Sequence, residues 1–146
     1  LKPGPIMPMG GRIFMNVIDT CNYLTPQRTP DDRTNSYWAL GIIYTGYESI
    51  GVSWYDFRQK YIEMGGDGFY GAWKVPYLEP VMRKGIFKEM NPDIYKNVNY
   101  NEGDCPIAEN LQKRLMVFKT NYRNLDLARY KAYCLRKTID HYKSFK

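Results

Sequence analysis

Six residues, Gly66-Asp67-Gly68-Phe69-Tyr70-Gly71, spell G-x-G-x-x-G, the spacing with which a strand-to-helix turn approaches the pyrophosphate of a dinucleotide. That chemistry needs a helix to begin at the glycines. Pro76 and Pro80 follow too closely to allow one of useful length, so the segment is read as a glycine turn leaving a helix. Asp67 and Glu79 are the carboxylates that could pair as acid and base, on either side of an aromatic segment holding Tyr70, Trp73 and Tyr77. Rings at such spacing serve either a core or a ligand platform. The single histidine, His141, falls near a helix end, where the cation is favoured and solvated. Neither a triad nor a zinc site can be built on it, so no catalytic residue and no metal ligand is assigned.

Cys21, Cys105 and Cys134 are odd in number and form no C-x-x-C, which predicts reduced thiols in a cytoplasmic protein. The net charge is +6, and it is uneven. Residues 1–112 hold 11 basic and 13 acidic side chains, whereas residues 113–146 hold 10 and 2. Arg129, Arg136 and Lys143 recur every seven residues on the last helical segment, so a stand-alone module gripping nucleic acid or another polyanion is the alternative function class. No RNP, zinc-finger or recognition-helix pattern accompanies the stripe. The longest apolar run, around Trp38 to Tyr44, is about seven residues against the roughly 20 a bilayer span needs.

These residues must be positioned by a small number of elements. With 146 residues against about 150 per domain, one domain over residues 1–146 is expected. Leu1 in place of Met, with no basic and apolar leader behind it, predicts that the chain starts inside a longer reading frame. Ile13, Val17 and Cys21 predict a short helix over residues 12–21, and the aromatic and β-branched run 35–45 predicts a central strand. Ser53 is placed to cap Asp56, with Trp54, Phe57, Tyr61 and Met64 on one face and Gly65 as terminator. A second helix is predicted over 105–118, capped by Asp104, with Ile107, Leu111 and Leu115 facing inward. A third covers 125–143 through Ala128, Ala132, Leu135, Ile139 and Tyr142. Residues 67–103 are expected to hold turns and one or two strands. The fold class that follows is α+β, a two-layer sandwich of a small, mainly antiparallel sheet under about three helices.

Three segments in this order resemble the C-terminal small domain of the DegT-type nucleotide-sugar aminotransferases, over roughly residues 12–142. The first is Leu24-Thr25-Pro26-Gln27 with Pro30 and Ser36-Tyr37-Trp38. The second is Trp54, Phe57-Arg58, Gly65-Gly66-Asp67-Gly68-Phe69-Tyr70, Ala72-Trp73 and Tyr77-Leu78-Glu79-Pro80. The third is Cys105-Pro106-Ile107-Ala108-Glu109, Arg114-Leu115 and Phe118-Lys119-Thr120-Asn121-Tyr122. The family has the aspartate-aminotransferase fold, and its complete enzymes use pyridoxal phosphate to move an amino group, commonly from glutamate, to a keto carbon of a nucleotide-linked sugar in the making of cell-surface polysaccharide.

In that family the Schiff-base lysine, the aspartate on the pyridine nitrogen and the phosphate-binding groups belong to the large N-terminal domain. The resemblance therefore implies that this chain covers the cleft and shapes the sugar pocket. It implies no catalysis and no bound cofactor for the fragment alone, with the large domain and a homodimer mate as partners. The implied substrate-binding residues are Gln27, Asp67, Tyr70, Trp73, Tyr77 and Glu79. Acceptors such as Asp67 or Glu79 suit sugar hydroxyls, and the Trp73 face suits an apolar C–H side. Ala72-Trp73-Lys74-Val75-Pro76-Tyr77 departs from the members that carry histidines after this helix.

Overall fold

A computed structural model describes residues 6–71 and 74–143. In chain order the elements are α1 (Ile6–Ile18), β1 (Leu24–Pro26), β2 (Ala39–Tyr44), α2 (Gly46–Ile50), α3 (Trp54–Glu63), β3 (Tyr70–Gly71), α4 (Pro80–Arg83), α5 (Phe87–Met90), α6 (Pro92–Tyr95), α7 (Pro106–Gln112), β4 (Leu115–Lys119) and α8 (Leu125–Lys143). Two compact units result, one of Leu1–Gly71 with Arg114–Lys146 and one of Ala72–Lys113.

The first unit is α+β. Its sheet runs β1-β2-β4-β3, antiparallel throughout. Strand alternation divides β2 and β4 between two faces. Leu40, Ile42, Tyr44, Met116 and Phe118 point one way and are buried with residues of α1, α3 and α8. Ala39, Gly41, Ile43, Leu115, Val117 and Lys119 take the opposite face, where none is fully buried. On the covered side aromatic rings dominate: Phe69 stands 5.0 Å from Phe118, and Phe14 stacks on Tyr122 at 6.1 Å.

Helix α3 forms as its local chemistry dictates. Ser53 Oγ accepts from the Asp56 amide at 3.1 Å, Phe57 and Tyr61 are buried, and Gly65 leaves the helix at φ +97°. Helix α8 also matches its predicted stripe, with Ala128, Ala132, Leu135 and Ile139 buried.

Two predicted elements are displaced. Helix α1 begins at Ile6 and ends at Ile18. The proline- and glycine-rich lead hid its start, because Pro8 sits in the first turn where an N–H has no helical acceptor. Gly10 is required there, since a Cβ would stand 2.7 Å from the Thr120 carbonyl oxygen. Strand β2 starts at Ala39 because Tyr37 turns the chain at φ 49°, with its amide bonded to Asn35 Oδ1 at 2.8 Å.

One predicted element is overturned. The helix expected over 105–118 stops at Gln112, and Leu115–Lys119 is strand β4. Ile107 is 84% exposed instead of facing inward, and Asp104 accepts from the Asn101 amide instead of capping. The strand wins because pairing with β2 puts Met116 and Phe118 into the core, which a helical path would place on different faces.

The second unit is built of short turns. A 3-10 turn at Pro76–Leu78 precedes α4, and four of its five helical pieces carry proline at the first turn. These single turns have no periodic run for a sequence pattern to find, so they add to the three helices expected. Among the described residues of this unit only Val75 is buried. Its rings gather around Tyr100, which lies 5.7 Å from Phe87 and 6.3 Å from Tyr77.

Candidate functional site

The sheet face opposite α1, α3 and α8 carries the row of residues from which a candidate site can be built. Gln27 extends the β1–β2 ladder: its amide donates to the Gly41 carbonyl, and its Oε1 accepts from the Gly41 amide, both at 2.9 Å. Gly41 pairs with Val117, and Val117 pairs with Tyr70. Gln27, Gly41, Val117 and Tyr70 therefore form one transverse row, with about 14 Å between its ends at the usual strand spacing. Gly41 keeps the row low, for a Cβ there would stand 3.1 Å from Gln27 Oε1. The Gln27 side-chain N–H groups remain as donors at this end of the row.

At one end of the row, Trp38, Tyr70, Val117, Lys119 and Asn121 line a cavity of about 300 Å³. Trp38 is 75% exposed and Tyr70 71%, a large outlay of aromatic surface for a folded chain. Lys119 Nζ sits 5.2 Å from the Tyr122 ring centroid, which fixes the ammonium beside the cavity. Stacking rings, one cation and one amide can hold a ring-bearing polar ligand. The lining includes no carboxylate, histidine or thiol.

Asp67 is committed within the chain. Lys131 Nζ lies 2.5 Å from its Oδ1, and the Tyr122 hydroxyl donates to Oδ2 at 2.9 Å. Lys131 also donates to the Gly65 carbonyl at 2.9 Å, so the glycine turn is tied to α8 by one ammonium. Burial alone would raise the Asp67 carboxyl; the bonds from Lys131 and Tyr122 outweigh it and hold the group below the ordinary carboxylate value. Burial and the neighbouring Asp67 carboxylate push the Tyr122 hydroxyl up. The hexad 66–71 follows a helix and enters a strand, the reverse of the dinucleotide order.

Tyr77 and Glu79 belong to the second unit. The Tyr77 hydroxyl donates to Glu109 and accepts from the Cys105 amide at 2.9 Å. Partial burial and then the Glu109 bond push that hydroxyl up to about 12. The Glu79 carbonyl accepts from the Met82 and Arg83 amides at the start of α4. Trp73 lies outside the described residues. The fold thus brings Gln27 and Tyr70 onto one face, gives Asp67 a bracing role, and puts Tyr77 and Glu79 among the short helices.

Other candidates are accounted for locally. Each cation of the basic stripe has a partner in the chain: Arg129 with Asp126 at 2.7 Å, Arg136 with Thr20 Oγ1 at 2.7 Å, and Lys143 with Asp140 at 3.2 Å. His141 is half-buried against the Tyr142 ring. Cys21 and Cys134 are buried, Cys105 is exposed, and all three are free thiols. Among the described residues no group of three His, Cys, Asp or Glu could hold a metal ion, and no helix is long and apolar enough to cross a membrane.

Sequence reasoning missed Trp38, Lys119 and Asn121. The signal was present in the alternation of Leu115 to Lys119, which as a strand puts Val117 and Lys119 beside Ala39 and Gly41. No protein-family model matches this chain, and no curated protein matches it.

Proposed function

We propose that this chain is the small domain of a DegT-type, pyridoxal-phosphate-dependent aminotransferase, a cover for a nucleotide-linked keto-sugar and not a catalyst by itself. The observation that carries the reading is the transverse row. Gln27 and Tyr70, both marked by the family resemblance for the sugar pocket, stand on the sheet face opposite the one that α1, α3 and α8 cover. The α+β architecture and the order of the three resembling segments support the same reading.

On this proposal the Gln27 amide donates to sugar hydroxyls while Trp38 and Tyr70 cover the C–H side of the ring. Closing such a surface over a cleft excludes water from the chemistry beneath. Lys131 is a sheltered lysine, but its ammonium is engaged by Asp67 and the Gly65 carbonyl. A Schiff base needs that nitrogen unprotonated and free to bond carbon. Lys131 therefore does not fit that role, and the reading leaves pyridoxal phosphate to the large domain. The complete enzyme would work in the cytoplasm as a homodimer.

The test is to read the coding sequence on the amino side of Leu1, express the whole frame, and assay glutamate-dependent amination of a nucleotide-linked keto-sugar. A lysine-bearing large domain and an activity whose KM rises in Tyr70→Ala are expected. A stoichiometric pyridoxyl-lysine adduct on the 146-residue chain alone, trapped by borohydride and located by mass spectrometry, would overturn the reading.

A further inference from the structure

The second unit is neutral in composition, with six basic side chains (Lys74, Arg83, Lys84, Lys88, Lys96, Lys113) and six acidic ones (Glu79, Glu89, Asp93, Glu102, Asp104, Glu109). Its charges are nevertheless segregated. Arg83, Lys84 and Lys88 line a cavity of about 230 Å³ whose other walls include the polar Asn99, Tyr100 and Asn101 and the apolar Met82 and Val98, with no carboxylate in the lining. The arrangement is built by the backbone. Gly85, at φ +68°, turns the chain from α4 to α5, and its carbonyl accepts from the Lys88 amide at 2.9 Å. Lys88 is then held in place, its ammonium donating to Asn99 Oδ1 at 2.9 Å. The opposite wall is also fixed, because Tyr100 packs on Phe87 and Tyr77, and the Asn101 amide is held by Asp104 at 2.8 Å.

Three like charges gathered around one cavity repel one another. Among the described residues neither Arg83 nor Lys84 has a carboxylate partner to offset this. Solvated lysines would splay apart; here one is pinned by an asparagine beside the other two.

We propose that this cavity is an anion site for a phosphoryl group. The guanidinium and the two ammoniums are donors only, Asn99 keeps its N–H groups once its Oδ1 has accepted from Lys88, and a phosphate offers several acceptor oxygens with one to two negative charges. Size narrows the ligand further. About 230 Å³ lies below the roughly 300 Å³ at which sites for drug-sized ligands begin. The site therefore takes a phosphate, a diphosphate or the phosphoryl end of a larger molecule. It rests on the second unit alone and does not depend on the aminotransferase reading.

The test is a heteronuclear NMR titration of the full chain with inorganic phosphate, pyrophosphate and a hexose phosphate, at constant ionic strength set with chloride. Saturable shifts are expected at the amides of Gly85, Lys88, Asn99 and Asn101. Lys84→Gln and Arg83→Gln, both at exposed positions, should each weaken pyrophosphate about tenfold. Lys96→Gln, which removes a cation of the same unit outside the cavity, should change it less than about twofold. A hexose phosphate that binds tighter than inorganic phosphate identifies a phosphorylated metabolite as the ligand, and equal affinity identifies the free anion. The proposal is overturned by shifts that fail to saturate up to about 10 mM, by equal shifts with chloride, or by a Lys96→Gln loss as large as that of Lys84→Gln.

Discussion

Lys131 Nζ stands 2.5 Å from Asp67 Oδ1, joining the turn after α3 to the middle of α8 by a pair that is only 16% and 29% exposed. Removing the carboxylate leaves the Lys131 ammonium half-buried without a counter-charge, held by the Gly65 carbonyl. Asp67→Asn is expected to destabilise the fold by ~1–3 kcal/mol, read from the urea midpoint at pH 7. Because the folded carboxyl titrates below the ordinary value of 3.8, its contribution is complete well above that pH and is lost as pH falls below it. The variant should show a flatter acid limb than the parent, and an unchanged limb would contradict the assignment.

Gly10→Ala replaces a poor helix former by the best one, which alone would stabilise α1 by ~1 kcal/mol. The obstacle is the Thr120 carbonyl oxygen, 2.7 Å from the new Cβ. Backbone cannot step aside as a flexible side chain can, so a net loss of ~1–3 kcal/mol is expected in chemical denaturation.

Tyr23 is buried at 4% exposure, and its hydroxyl has no oxygen or nitrogen partner, only the weakly bonding Cys21 thiol nearby. Burial pushes that hydroxyl up from its usual range. Tyr23→Phe is therefore expected to leave the thermal midpoint unchanged or raise it, equivalent to up to ~1 kcal/mol.

Tyr77 links Glu109 and the Cys105 amide within the second unit. In Tyr77→Phe the Cys105 amide should exchange with solvent faster, while the amides of β2 and β4 keep their protection. Acceleration in the strands as well would mean that the link has a wider role.

The strand at Leu115–Lys119 buries Met116, whereas Ile107, which the expected helix would turn inward, is exposed, so the two positions should respond in the opposite sense to that helix. Met116→Ala, at 0% exposure, should cost ~2–5 kcal/mol in unfolding free energy. Ile107→Ser, at 84% exposure, should stay within ~0.5 kcal/mol of the parent.

Legibility in the sequence followed the range of the forces involved. Helix α3 could be read because Ser53, Asp56 and Gly65 act within one turn of the residues they serve. Helix α8 could be read because five positions repeat one face. Strand β4 could not, since what decides it is Ala39 to Ile43, more than seventy residues earlier in the chain. The candidate site suffered for the same reason: Tyr70 and Gln27 were named, whereas Trp38 and Lys119 join them only once β2 and β4 are paired. Asp67 was legible as a functional carboxylate by type, but its engagement with Lys131 and Tyr122 depends on where α8 packs.

Strand β1 hydrogen-bonds to β2 through Thr25 and Gln27, which leaves the main-chain groups of Leu24 and Pro26 on the outer rim. The Leu24 amide is already donated to the Cys21 carbonyl, and Pro26 has no N–H to give. That rim therefore lacks the ladder another molecule would need to add its own strand. A strand added on this side would find carbonyl acceptors at Leu24 and Pro26 but no main-chain N–H, which disfavours growth of the sheet into a filament there.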